Sequence, residues 1–267
     1  MLLAIDVGNT NITCALFEGD KIAASFRLMT KQPRTSDEYG MTITSLLKGN
    51  HLKRKEVTDI VFCSVVPKVN YALCSALIKY LMIRPMEVTY TCNTGIKIKA
   101  DSPDQVGADR IVDAAAAYEL YGGPIIVIDY GTATTYDLVD QDGVFAGAVT
   151  APGVQTSASA LWSAAAKLPE IEIRKPKTIL AQNTVTSMQA GIYYGQIGQT
   201  EAIIRQIKKE AGCKNIKTIA TGGLAQLIKN GTGMIDLYNK DLTMLGLKII
   251  YDRERKHGDV DAHRVEK

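Results

Sequence analysis

A chain of 267 residues with 46% hydrophobic and 22% charged content is long enough to bury a full core, as one large domain or two of ordinary size. Its 31 basic and 28 acidic residues give a net charge of +3 and are mixed along the chain, which points away from nucleic acid and anionic membranes and leaves room for a small anionic ligand. No run reaches the ~18 apolar residues of a membrane span, and a first strand predicted from Leu2 leaves no room for a signal peptide, so a cytoplasmic location is expected.

The opening "MLLAIDVGNTNITCALFEGD" reads as strands over 2–7 and 11–17 joined by a tight turn, with a third strand over 21–28. A helix follows near 35–48, then "DIVFCSVVP" as a buried strand ending at Pro67, then a helix near 69–82. Ser102 and Pro103 look like the cap and first turn of a helix running towards Tyr121, with "AAAAYEL" at 114–120 as its close-packing face. At 125–143 "IIVIDYGTATTYDLVDQDG" repeats the opening pattern, as strands over 124–129, 134–139 and 143–149. Helices near 155–166 and 184–211, the strand "KTIATGG" at 217–223 and a helix from about Leu224 complete the pattern. Aligning Asp6 with Asp129 superposes Ile5 on Ile128 and Gly8 on Gly131, an offset of 123 residues (129 minus 6), which is about one domain. Strands alternating with helices predict α/β layers, in two duplicated domains. The final sixteen or so residues lack apolar periodicity and are expected to be disordered.

The five cysteines, at 14, 63, 74, 92 and 213, contain no C-x-x-C pair and fit neither a disulfide framework nor a zinc site, so they read as reduced filler. The three histidines stand in charged surroundings, His51 in "HLKRK" and His257 and His263 in the C-terminal tail. Catalysis must therefore rest on carboxylates. In each D-x-G-x-T turn the glycine lets the backbone approach a ligand, and the small residues and N–H groups that follow can line an anion-sized cradle. Two such turns facing one another across a cleft would offer a phosphate tail two sets of donors and two carboxylates, one for Mg²⁺ through water and one for another cation. Neither a G-x-x-x-x-G-K-[ST] loop nor a protein-kinase signature occurs.

The pair "DVGNTN" and "DYGTATT" resembles the phosphate loops of the superfamily of actin, the heat-shock ATPases and sugar kinases. More narrowly, "VGADRI" at 106–111, "DYGTATTYD" at 129–137, "APG" at 151–153, "NTVTSMQAGIYYG" at 183–195 and "TGGLA" at 221–225 together resemble type III pantothenate kinase, over residues 1–251. The resemblance implies two duplicated actin-like, ribonuclease H-like domains with a nucleotide cleft between them, over 1–115 and 116–251, followed by a charged tail at 252–267. It implies transfer of the ATP γ-phosphate to the primary hydroxyl of pantothenate, the first step towards coenzyme A. Asp6, Gly8, Asn9, Thr10, Asn11 and Thr13 would form the first phosphate loop, with Asp6 near Mg²⁺. Thr132 would contact ATP from the second loop, and Gly222 and Gly223 would lie near the adenosine. Asp129 would hold a monovalent cation, K⁺ or NH₄⁺. Gly107, Ala108, Asp109 and Arg110 would line the pantothenate pocket, Thr184 would close it, and Asp109 would be the general base. A homodimer is implied as well, with "ASALWSAAAKL" at 158–168 as a candidate contact face.

The chemistry of "GADR" is sensible apart from the resemblance. An alcohol nucleophile needs a proton acceptor, and Arg110 offers a planar fork for a substrate carboxylate. The alternative is that Asp109, Arg110 and Asp113 are solvent-facing charges on a helix. One departure from the family pattern is Ala100, where a tyrosine is usual, which puts substrate affinity and selectivity in question. Two other functions are compatible with twin loops: a nucleotide-dependent regulator, which could dispense with the base, and a kinase for a sugar or other small alcohol, which would need more polar residues around its substrate.

Overall fold

In a computed structural model, residues 1–213, 215–256 and 258 are described, and they form two compact units. The first comprises Met1–Ala116 and the C-terminal segment from Leu242, and the second Ala117–Asp241. The first unit begins with β1 (Leu2–Val7), β2 (Asn11–Glu18) and β3 (Lys21–Met29), followed by α1 (Ser36–Gly49), β4 (Asp59–Ser64), α2 (Pro67–Leu81), and the short β5 (Met86–Glu87) and β6 (Lys97–Ile98). Helix α3 (Ala108–Tyr121) leads the chain into the second unit. There, β7 (Ile125–Tyr130), β8 (Ala133–Val139) and β9 (Val144–Pro152) precede α4 (Val154–Ala164), α5 (Thr184–Ala211), β10 (Lys217–Thr221), α6 (Ala225–Lys229) and β11 (Leu237–Tyr238). Helix α7 (Leu242–Lys256) closes the chain's described structure, apart from a turn residue at 258.

The duplication is visible in the topology. Strands of the first unit run in the order β3-β2-β1-β4-β5, and those of the second in the matching order β9-β8-β7-β10-β11. In both, the strand carrying the aspartate pairs antiparallel with its hairpin partner and parallel with a later strand. Asp6 stands opposite Thr13 and Cys63, and Asp129 opposite Thr135 and Thr221. The later strand of each half thus ends beside the Asp-Gly turn, where open α/β sheets gather ligands.

β1 is apolar on both faces because both are covered. Leu3, Ile5 and Val7 pack with Tyr39, Ile43 and Leu47 of α1 and Leu73 and Leu77 of α2. Leu2 and Ala4 pack with Val112 and Ala115 of α3 and with Leu247 and Ile250 of α7. Each of the Leu, Ile and Val side chains among these contributes about 1.5–3 kcal/mol on burial. In the second unit Ile126, Ile128 and Tyr130 of β7 lie against Tyr193, Ile197 and Ile204 of α5 and Ile228 of α6.

Local signals set several boundaries. Thr35 and Glu38 form a reciprocal capping box at the start of α1. Asn183 accepts from the Thr186 amide at 3.0 Å to open α5, and Gly212 closes it at φ +62°, so the predicted 184–211 is observed.

Other expectations are corrected. Ser102 and Pro103 do not start a helix towards Tyr121. Pro103–Gln105 forms one 3-10 turn, and α3 begins afresh at Ala108, with Gly107 O accepting from the amides of Arg110 and Ile111. The division at 115/116 with a second domain ending at 251 misses the return of α7 to the first unit, where Gly246 passes so close to Val112 that an added Cβ would sit 2.7 Å from its Cγ1. A tail from 252 is likewise corrected, because Asp252–Lys256 are the last turns of α7; residues 257 and 259–267, with His257 and His263, lie outside the described residues. On α4 only Val154 and Ala158 are buried, while Leu161 is exposed and Trp162 half-buried.

Candidate active site

The first Asp-Gly turn is a four-residue connection, with Val7 pairing Ile12 across it. The Gly8 amide donates to Asn11 O at 3.0 Å, and an added Cβ there would sit 3.1 Å from that oxygen. Buried Thr30, just after β3, braces the turn: its hydroxyl donates to Gly8 O at 2.7 Å and its amide to Thr10 O at 3.0 Å. Asn9, Thr10 and Asn11 are left exposed, and Thr13 is half-buried in register with Asp6.

The second turn is one residue shorter, with Tyr130 pairing Thr134 and the Gly131 amide donating to Ala133 O at 3.0 Å. Its brace comes from the start of α4. The Gly153 amide and the Thr156 hydroxyl both donate to Thr132 O, at 3.1 and 2.6 Å. A Cβ on Gly153 would lie 2.8 Å from the Thr132 carbonyl carbon and closer still to the carbonyl oxygens of Gly131 and Thr132. That is the physical content of "APG". Gly131 and Thr132 remain exposed.

At the end of β10, Gly222 adopts φ +95°, and an added Cβ would come within 2.7 Å of the Tyr130 backbone N and O and closer to Asp129 Oδ1. A Cβ on Gly131 would approach Asp129 Oδ2 to 3.1 Å. The Asp129 carboxylate therefore occupies space that only glycine leaves on both sides, while Gly223 is exposed with open surroundings.

In the first unit Asp109 stands in the first turn of α3, half-buried, with its Oδ1 accepting from the Arg110 amide at 2.7 Å. Gly107 makes room for it, since a Cβ there would lie 2.6 Å from that same Oδ1. Burial pushes the Asp109 carboxyl upwards, against the pull of the Arg110 amide and guanidinium. Asp6 is driven up to about 7, first by burial and then by the negative charge of Asp109, while a hydrogen bond from Cys63 works the other way. Two carboxylates that each feel their burial, one of them pushed up by the other's charge, make this a candidate proton-handling site. The solvent-facing alternative fails for Asp113, which is 3% exposed.

Among the described residues no three His, Cys, Asp or Glu side chains gather to hold a metal ion. A divalent ion here would arrive with a polyanionic ligand, and Asp6, a hard oxygen donor beside the Gly8 turn, suits it.

The structure thus gathers Asp6 with the first loop, and Asp109 with Arg110 and Gly107, in the first unit. It gathers Asp129, Thr132 and Gly222 in the second, which also carries Thr184, exposed on the first turn of α5. Sequence reasoning missed Thr30, Thr156 and Cys63, which touch the loops or Asp6 only through tertiary contacts.

A family model for type III pantothenate kinase matches residues 2–206. A type III pantothenate kinase from Agathobacter rectalis is 56% identical over 258 residues, 97% of this chain and 99% of that protein. Another from Bifidobacterium longum subsp. infantis is 46% identical over 256 residues, 96% of this chain and all of that protein. Among solved structures, the activator of 2-hydroxyisocaproyl-CoA dehydratase from Clostridium difficile, with bound ADPNP, aligns at TM-score 0.54 and 10% identity over 100% of this chain and 99% of that one. A protein assigned as a 2-dehydro-3-deoxygalactonokinase from Sinorhizobium meliloti aligns at 0.59 and 12%, over 95% and 96%. These likenesses show the actin-like ATPase and sugar-kinase fold. With the family model covering most of the chain and relatives matching along nearly its whole length, the chain belongs to the type III pantothenate kinase family.

Proposed function

We propose that this protein is an ATP-dependent pantothenate kinase that transfers the γ-phosphate to the primary hydroxyl of pantothenate, giving 4'-phosphopantothenate on the route to coenzyme A. The observation that carries this reading is Asp109, a carboxylate with raised proton affinity, oriented by the Arg110 amide and close enough to Asp6 to perturb it.

Asp109 accepts the hydroxyl proton as the oxygen attacks phosphorus, while Arg110 pairs with the pantothenate carboxylate. Gly107 leaves room for the Asp109 carboxylate, Gly107 and Ala108 line the pantothenate pocket with Arg110, and Thr184 is assigned to substrate binding. The backbone of Gly8, Asn9, Thr10 and Asn11, with Thr13, grips the ATP phosphates. Thr132 does so from the second loop, and Gly222 and Gly223 lie along the adenosine. Mg²⁺ carried by ATP would be held through Asp6 and would offset charge on the phosphates; a K⁺ or NH₄⁺ ion at Asp129 would add to that offset. Support for these roles comes from the hydrogen bonds that brace both turns and from the match of residues 2–206 to the family model.

The protein is further proposed to act as a cytoplasmic homodimer. No helix among the described residues is long and apolar enough to cross a membrane. The stretch 158–168 is the candidate contact face, and light scattering that returned an active monomer would overturn the dimer.

Purified protein with ATP, Mg²⁺ and K⁺, scanned for ADP release against pantothenate and a panel of sugars, tests the activity. Release with pantothenate alone is expected. Release only with a sugar, or none at all, would refute the assignment.

A further inference from the structure

Cys63 reads in the sequence as filler, yet its position in the fold is particular. It lies on β4 opposite Asp6 of β1 in a parallel pair, so the two side chains leave the sheet on the same face. The Cys63 thiol is fully buried and donates to Asp6 Oδ1 at 3.4 Å. The other oxygen, Oδ2, is the one turned to the turn, 3.9 Å from where a Cβ on Gly8 would be. Cys63 belongs to the buried cluster that includes Ala4, Val61, Val112 and Leu247.

We propose that Cys63 is a positioning residue, whose thiol holds one oxygen of Asp6 so that the other stays aimed at the first phosphate loop. A carboxylate swings about two side-chain torsions unless it is held, and a misaimed carboxylate costs rate out of proportion to the small displacement. Burial, followed by the charges of Asp6, Asp109 and Asp113, keeps this thiol well above its usual titration range, so it serves as a donor throughout the neutral range. The second unit repeats the arrangement in register, since Thr221, a hydroxyl residue 2% exposed, stands opposite Asp129. At the equivalent place in each half, the later strand thus offers an X–H group beside the aspartate.

The consequence for turnover rests on Asp6 serving the bound nucleotide, as proposed above, whereas the hydrogen bond itself does not. Cys63→Ala removes the donor and Cys63→Ser keeps one, and the two shrink the side chain by about the same volume. With both variants folded, Cys63→Ala should lower kcat about tenfold while leaving KM for pantothenate within about twofold, and Cys63→Ser should recover kcat to within about threefold. A packing role would impair both alike, with Ser no better than Ala, and that result would overturn the proposal. An independent readout is the infrared S–H stretch of the ligand-free protein. The band missing from Cys63→Ser belongs to Cys63, and Asp6→Ala should move that band to higher frequency. A band that stays in place would refute the hydrogen bond whatever the kinetics. If the unaltered protein released no ADP with pantothenate, it is the kinase assignment that would fall. If it were active and Cys63→Ala matched its kcat, the positioning role would fall.

Discussion

Replacing Gly153 by alanine tests whether the second phosphate loop is held from behind by α4. The new Cβ would lie 2.8 Å from the Thr132 carbonyl carbon, with two carbonyl oxygens nearer still, against an ordinary contact of 3.4–4 Å. The loop or the helix start must yield by the order of an ångström. Two hydrogen bonds to Thr132 O, from the Gly153 amide and the Thr156 hydroxyl, would be lost or stretched, at about 1 kcal/mol each. Overpacking adds about 1–3 kcal/mol, so a loss of about 3–5 kcal/mol is expected. Displacing Thr132 by this amount should also raise KM for ATP, with kcat/KM falling by up to about a hundredfold. Urea denaturation and steady-state kinetics measure the two effects. Gly198→Ala is the control: it adds the same methyl to open space on the exposed side of α5 and should stabilise by about 1 kcal/mol. If Gly153→Ala matched the parent in urea midpoint and in KM for ATP, the loop would not be braced by α4.

Asp109→Asn should fold and bind ATP but lose about 10²–10⁴-fold in kcat, and the parent's kcat should fall on acidification at a pH above the ordinary carboxylate range, because the base must be unprotonated and burial raises its affinity for the proton; near-normal kcat in the variant would remove Asp109 from the chemistry. Asp6→Asn should stabilise the nucleotide-free, chelator-treated protein at alkaline pH. Asp6 has a folded value of about 7 against an ordinary 3.8, so its contribution is fully present below the ordinary value and is lost as pH rises through the folded one. At about 1.4 kcal/mol per pH unit the variant's advantage should grow from near zero at acid pH to at most about 4 kcal/mol above about pH 8, and an advantage independent of pH in urea titrations would contradict this. Asp129→Ala should abolish the response of turnover to K⁺, and equal parent rates in K⁺, Na⁺ and a bulky organic cation would eliminate the monovalent site.

Much of this protein was legible in its sequence because the signals are local. Alternating apolar residues followed by Asp-x-Gly specify strand and tight turn within a dozen residues, twice over, and the resulting strands and hairpins appear within one or two residues of expectation except at β9, which runs on to Pro152. Asn183 and Gly212 likewise announce both ends of α5 through their own backbone and side-chain chemistry. "GADR" named the carboxylate, and the glycine before it is explained by the room that carboxylate needs. What only the tertiary structure decided are pairings between distant segments. The 57-residue separation of Cys63 from Asp6, the reach of Thr156 back to Thr132 and of Thr30 to Gly8, and the return of α7 to β1 leave no periodicity in the chain. A cysteine between apolar neighbours reads the same whether its thiol faces a methyl group or a carboxylate. The difference arises only when the parallel pairing of β1 with β4 sets the register, because burial beside Asp6 turns a weak donor into a specific contact.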